Sequence, residues 1–397
     1  MPLEILGVLL HRNASEISRA GGPPFDAEMI GTLARAFDEN GFDRVLILQN
    51  SYAPDPFAIA SYAAGITRRL AFMVAHRPGF IAPTMAARMF ATLDQLSGGR
   101  AGVHVITGAN DLELACDGDY HTKDERYRRS GEYVEIMRSI WEAREPVSHE
   151  GDWYRFDRAL AEVRPVHGTI PVYWGGASPL ALETGARVAD VYAIGGLKPL
   201  AQMAETVAQV QRAWATTGRP LRLQTSARVI LGDTEEQAWK AASEVIEALR
   251  ETAAEQQGKI AGAENGKGEA TGTAMRLDPK LATTRGGSGR EELEALANGS
   301  ELVDKRLWTG ITRASIDFST PMLPPALVGT AEQVADALMD YYAMGISGFL
   351  LRGFDLLGDI AVQGRELIPR LRELAARHDE TAGIAPSLES EPMGAVV

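Results

Sequence analysis

The feature that most constrains this 397-residue chain is a rhythm of eight short β-rich apolar runs interleaved with longer helical patterns. The runs are Leu3–Leu10, Asp43–Leu48, Leu70–Ala75, Ala101–Ile106, Val172–Trp174, Val191–Ile194, Leu221–Leu231 and Gly348–Leu351. Parallel strands need crossover connections, so strict strand–helix alternation implies a parallel sheet covered by helices. Eight such units favour a closed α/β barrel, a (β/α)8 TIM barrel with insertions, over an open doubly wound sheet. Helices are expected at Asp26–Asn40, Phe57–Gly65, Thr84–Leu96 and Glu125–Glu142, with Gly41 and Gly98-Gly99 as stops. A small hairpin is expected at Val147–Phe156. The glycine-rich stretch Glu251–Ser300 reads as a mobile lid or a linker, and its position inside a βα unit favours an active-site lid. The barrel is thus expected over residues 1–375, with a flexible insertion at about 251–300 and a disordered polar tail at 376–397.

Composition narrows the class. Forty Lys and Arg against 53 Asp and Glu give a net charge of −13, which argues against nucleic-acid and anionic-membrane partners but leaves room for a small anionic substrate. A lone cysteine, Cys116, allows no intrachain disulfide and fits a reducing compartment. The first residues read as a strand with an early Glu4, not as a basic-headed signal peptide, and no apolar run reaches the roughly 20 residues of a spanning helix. A cytoplasmic location is the expectation.

In a barrel of this kind, chemistry sits where strand carboxyl ends deliver their loops. Those ends carry Gln49 to Phe57 with Asp55, then His76-Arg77-Pro78-Gly79, Thr107-Gly108, Gly175-Gly176-Ala177-Ser178, and Ser226 with Arg228. The Gly-Gly-Ala-Ser turn can cradle a phosphate on backbone amides, or simply be a tight turn in which Ser178 caps a helix. No Gly-x-Gly-x-x-Gly follows the first strand, no Gly-Lys-Ser/Thr loop occurs, and no Gly-x-Ser-x-Gly elbow presents a serine. The seven histidines lack a His-x-x-x-His pair, and no metal is expected. Exclusion leaves an organic cofactor as the carrier of the chemistry.

Several blocks then resemble the alkanesulfonate monooxygenase family of luciferase-like flavin enzymes. They include Gly41-Phe-Asp-Arg-Val-Leu-Ile47, Arg77-Pro78-Gly79, Ala82-Pro-Thr-Met-Ala-Ala-Arg-Met89 and Ala91-Thr-Leu-Asp-Gln-Leu-Ser-Gly-Gly-Arg100. Further on come Val105-Ile-Thr-Gly108, Asp124-Glu-Arg-Tyr127, Tyr173-Trp-Gly-Gly-Ala-Ser178, Arg306-Leu-Trp-Thr-Gly310 and Ala326-Leu-Val-Gly-Thr-Ala-Glu-Gln-Val334. The resemblance runs from about Leu3 to Leu374. It implies a two-component monooxygenase that uses O2 and reduced FMN (FMNH2), supplied by a separate NAD(P)H-dependent flavin reductase, and that assembles as a homodimer or homotetramer. Alternatives are a flavin- or deazaflavin-dependent oxidoreductase without oxygenation, and a non-catalytic flavin-binding protein.

By the same resemblance, Thr107 meets the flavin edge, Tyr127 with Gly176, Ala177 and Ser178 meets the phosphate and ribityl chain, and Asp55 lies near the flavin. His104 replaces a family asparagine and reads equally as a flavin contact or a core histidine. Arg88, Asp94 and Arg100 read as scaffold. The departures fall on the substrate pocket. Ala53 stands for a cysteine, Gly195 for a tryptophan, Ser226-Ala227-Arg228 for Arg-x-His, and Phe354 for a tyrosine, while Arg313 is the nearest counterpart of a later arginine. An arginine moved by two residues stays on the same strand face, so Arg228 remains a candidate for an anionic group. His76 and His11, each at a strand end, are the remaining catalytic candidates.

Overall fold

The computed structural model describes residues 3–18, 23–108, 110–264 and 290–384, with residues 256–264 as backbone only. Eight strands form the ring: β1 (Glu4–Leu9), β2 (Arg44–Ile47), β3 (Ala71–His76), β4 (Ala101–Val105), then β7 (Val172–Gly175), β8 (Val191–Gly196), β9 (Arg222–Leu231) and β13 (Ile346–Arg352). Every neighbour pair is parallel, and pairing of β8 with β9 and of β13 with β1 closes the circle. The fold is a (β/α)8 barrel.

Side-chain alternation separates two layers. Leu6, Met73, Tyr173, Val191 and Leu350 form one cluster inside the ring, whereas Ile5, Val45, Phe72 and Val74 join the outer cluster packed by the helices. This explains why β3 is buried at every residue: both of its faces are covered. The amino-terminal end of the barrel is filled by polar side chains. Arg44 pairs with Glu4 at 2.8 Å, and the Tyr173 hydroxyl donates to the same carboxylate at 3.0 Å. That plug leaves the carboxyl end as the accessible one.

Local chemistry sets the helix starts. α1 (Ala27–Glu39) is capped by Asp26, and α2 (Pro56–Ile66) by Asp55 with proline at its first position. α3 (Pro83–Ser97) stops at left-handed Gly98. After the short α4 (Asp111–Cys116), α5 (Lys123–Glu142) begins in a Thr122–Glu125 capping box. The expected hairpin is β5 (Val147–Glu150) with β6 (Arg155–Ala159). α6 (Pro179–Val188) and α7 (Leu200–Ala215) follow.

Beyond β9 the chain departs from simple alternation. α8 (Glu235–Glu264) runs well into the segment expected to lack structure, and α9 (Arg290–Ala297) lies at its other end. The expected lid is therefore helical at both margins, and its centre, residues 265–289, lies outside the described residues. Next come β10 (Leu302–Val303), β11 (Leu307–Trp308), α10 (Gly310–Asp317) and β12 (Ala326–Gly329). β12 adds in parallel to the carboxyl half of β9, from Arg228 to Leu231, extending the sheet outside the ring. α11 (Ala331–Ala343) leads into β13, and α12 (Leu356–Val362) passes through a π-helical turn at Gln363–Leu367 into α13 (Ile368–Thr381). Of the stretch expected to be a disordered tail from residue 376, α13 covers the start as far as Thr381, and residues 385–397 lie outside the described residues.

Candidate active site

Three elements meet at the carboxyl end of β4 and β7. Thr107 and Tyr127 are hydrogen-bonded through their side chains. The Tyr127 hydroxyl lies so close to Gly176 that a Cβ on that glycine would stand 2.2 Å from it and 2.8 Å from Ala181 Cβ. Gly176 has φ +131°, a conformation and a close approach that glycine alone tolerates. The Tyr192 hydroxyl donates to the Gly176 carbonyl, which fixes the turn. Ser178 then caps α6, its Oγ accepting from the Ala181 amide at 3.2 Å. Burial raises the Tyr127 phenol above its ordinary value, although Thr107 and Arg126 oppose the shift, so Tyr127 remains a neutral hydroxyl at physiological pH.

The inward-facing positions around this corner are small. Ala75, Gly175 and Ala193 follow the same strand face as Tyr173, and Gly195 adds exposed backbone, with nothing within 4 Å of where its Cβ would be. His104 shares that face, and among the described residues its buried Nδ1 has no hydrogen-bond partner. Burial pushes its imidazole down to about 4, so the ring is neutral near pH 7. Across the mouth, Leu48 and Tyr52 are each 44% exposed. The buried Arg77 clasps the surrounding loops. Its guanidinium reaches Glu113 at 2.5 Å and Ser51 at 3.1 Å, and its amide donates to Gln49 at 2.9 Å.

Asp55 lies in the β2–α2 loop, where its Oδ1 accepts from the Ala58 amide at 2.7 Å. The structure does not bring His76 to the mouth. As the last residue of β3 it follows the outward alternation of Phe72 and Val74, and its ring packs among Phe57, Phe90 and Tyr133. Its Nε2 lies 2.7 Å from the Tyr133 hydroxyl, and burial lowers its imidazole to about 4. His11 follows β1 at the rim, half-buried, with its imidazole pushed down by burial and by Arg12.

Arg228 does face inward, on a different side of the mouth. Its side chain is 1% exposed, pairs with Glu16 and lies over the Phe354 ring at 4.7 Å. Arg352 reaches the same carboxylate at 3.1 Å. Burial alone would raise Glu16, but Arg228 and Arg352 more than reverse that and hold it below its ordinary range. Arg313 is engaged elsewhere, donating to the carbonyls of Ala297 at 2.8 Å and Gly299 at 3.1 Å. Asp94 and Arg100 serve the scaffold. Asp94 accepts from the amides of Ala101 and Val166, while Arg100 donates to the Leu70 and Ala64 carbonyls.

Sequence reasoning missed Glu16 and Arg352. A buried arginine on a barrel strand signals that a carboxylate must be near, but spacing does not say which one. Among the described residues, no group of three or more His, Cys, Asp or Glu side chains is gathered to hold a metal ion, and no helix is long and apolar enough to cross a membrane.

A ring of eight parallel strands, plugged at one end and lined with glycine turns and polar side chains at the other, is the framework of a barrel enzyme with its site at the carboxyl ends. Within that class the affiliation is definite. The chain belongs to the luciferase-like monooxygenase family, whose model matches residues 3–348. Among solved structures it is similar to riboflavin lyase (RcaE), with 19% identity over 99% of this chain and 94% of that one and a TM-score of 0.72. It is also similar to EDTA monooxygenase (EmoA) from Chelativorans sp. BNC1, with 20% identity, coverage of 98% and 96%, and a TM-score of 0.70. An F420-dependent secondary alcohol dehydrogenase shares the fold at 18% identity, coverage of 94% and 100%, and a TM-score of 0.64. At these identities the likeness is one of fold.

Proposed function

We propose that this chain is the oxygenating component of a two-component, FMNH2-dependent monooxygenase acting on a small organic molecule. The observation that carries the reading is the corner formed by Thr107, Tyr127 and Gly176 beside small inward residues and the unpartnered His104 Nδ1. A flavin fits such a corner. The amides of Gly176, Ala177 and Ser178 at the start of α6 suit a phosphate. Because Ser178 Oγ accepts from Ala181, its own hydroxyl proton stays available for donation. The exposed backbone of Gly195 leaves space for a planar ring, and His104 offers that ring a neutral partner.

Bound reduced FMN would supply the electrons that activate O2. The chain's own part is positional. Thr107 orients the Tyr127 hydroxyl, Tyr192 holds the phosphate turn, and Arg77 ties the loops that border the mouth. The apolar surfaces of Leu48 and Tyr52 are placed to shield bound groups from water. The reading includes a separate NAD(P)H-dependent flavin reductase as partner and a homodimeric or homotetrameric assembly on the strength of the sequence resemblance, and a cytoplasmic location on the sequence's lone cysteine, Cys116. Asp55 and His11 stand at the rim, as lesser contacts.

The test is product formation from a panel of neutral and anionic organic compounds. It requires this chain, FMN, a generic flavin reductase, NADH and O2 together, with the reaction under 18O2 read by product mass. Incorporation of one labelled oxygen supports the reading. Substrate oxidation without label, or with F420 in place of FMN, would favour the oxidoreductase alternative, which fold-sharing F420-dependent enzymes keep in view. Tight FMN binding without turnover across the panel would favour a flavin-binding role.

A further inference from the structure

A cavity of about 270 Å³ lies away from the Thr107–Tyr127 corner, between the ends of β1 and β13 and the helices α1 and α12. Its size is near the lower limit of small-molecule sites. Leu10, Phe37, Leu351, Leu356 and Ile360 supply an apolar lining. One polar side chain opens onto it. The Gln363 side chain is 3% exposed, and among the described residues its amide makes no hydrogen bond. Ser15 stands on another wall, with its Oγ turned away from the space. A π-helical turn begins at Gln363, a form that recurs at functional positions.

Charge limits the occupant. Glu16, Asp355 and Asp359 line the cavity against a single guanidinium, Arg352, which already engages Glu16 at 3.1 Å. Asp359 is occupied by the amides of Phe354 at 2.5 Å and Asp355 at 2.8 Å. With Arg228 and Arg352 both engaged by Glu16, a sulfonate or carboxylate would have to compete with that carboxylate beside Asp355 and Asp359. The cavity also adjoins the mouth, because Glu16 and Arg352 line it while Glu16 pairs with the inward-facing Arg228.

We propose that this cavity binds an uncharged, mainly apolar molecule bearing one hydroxyl or carbonyl group, held by the Gln363 amide. Given the monooxygenase reading, on which this second step rests, the body of the substrate lies here and the substrate is not a simple alkanesulfonate.

The probes are 1-octanol and octane-1-sulfonate, titrated calorimetrically into flavin-free protein. The alcohol binds and the sulfonate binds at least about tenfold more weakly or not at all. Gln363→Leu weakens the alcohol about tenfold, the loss of one hydrogen bond. Leu356→Trp, at a half-buried wall position, fills the space and abolishes binding; it carries the test if Gln363→Leu does not fold. Absence of octanol binding, equal binding to Leu356→Trp, or sulfonate binding as tight as the alcohol would each overturn the proposal. Alcohol binding with no labelled oxygen in any product would instead leave the cavity standing and sink the monooxygenase reading.

Discussion

Replacing Glu16 by glutamine tests how the mouth handles charge. The Arg228 side chain is 1% exposed, and Glu16 is shared between it and Arg352. Leaving a buried guanidinium without its carboxylate costs about 3–5 kcal/mol. Glutamine keeps one acceptor oxygen, so we expect the low end, about 3 kcal/mol, read from the midpoint of urea unfolding. A cycle with Arg228→Met should then give a coupling energy above about 1 kcal/mol. Losing the carboxylate also creates an anion site. At about 100 times its dissociation constant, methanesulfonate should restore about 2.7 kcal/mol to the Glu16→Gln variant and leave the wild type unchanged. The pH dependence has a definite sign. Glu16 titrates below its ordinary 4.5, so its contribution is present above that value and fades as the pH falls through the lower folded value. The variant should lack that limb. An unfolding midpoint identical to wild type, or equal stabilisation of both proteins by the sulfonate, refutes the reasoning.

Other outcomes follow from the same geometry. Gly176→Ala forces a Cβ against the Tyr127 hydroxyl and Ala181 at a φ of +131°, so FMN affinity should fall at least about tenfold by fluorescence titration; unchanged affinity removes the turn from the cofactor site. Ser178→Ala loses a helix cap and a phosphate donor, each worth about 1 kcal/mol, so thermal stability and FMN binding should both drop; a drop in stability alone demotes Ser178 to a cap. Tyr133→Phe strands the buried His76 Nε2, which should cost about 1–3 kcal/mol of stability with FMN affinity intact, and an affinity loss would argue against the outward placement of His76. Because burial lowers His76 from 6.5 to about 4, the neutral form's advantage is whole above 6.5 and disappears as pH falls from there to about 4; His76→Phe should flatten part of that acid loss in a pH series of urea midpoints.

The barrel was legible because its strands repeat one simple pattern. All eight apolar runs became ring strands, and the helix start at Ser178 follows from capping chemistry that acts over three residues. What escaped is long-range. The β10–β12 extension rests on β9 being ten residues long, so that its second half outruns the ring and pairs with β12, and strand length alone does not announce a second partner. The segment around residue 251 has helical propensity that its later glycines obscure, and α8 carries on to Glu264. His76 ends a strand as a mouth residue would, but strand alternation sends it outward; one residue of register decides between catalyst and core.

The substrate side of the mouth was the least legible part, and its chemistry explains why. Glu16 comes from the β1–α1 connection, Arg228 from β9 and Arg352 from β13, so no spacing in the chain signals that they meet. An ion cluster of this kind adds little stability over apolar residues of equal volume. What it supplies is position: Glu16 tethers the β1–α1 connection to two strand ends, and Arg228 is held over Phe354. A guanidinium held in this way is engaged inside the protein and is not presented to a ligand. The relocation of an arginine to position 228 therefore changes what the residue does as well as where it stands, and an incoming anion would have to displace Glu16 from both arginines before it could bind.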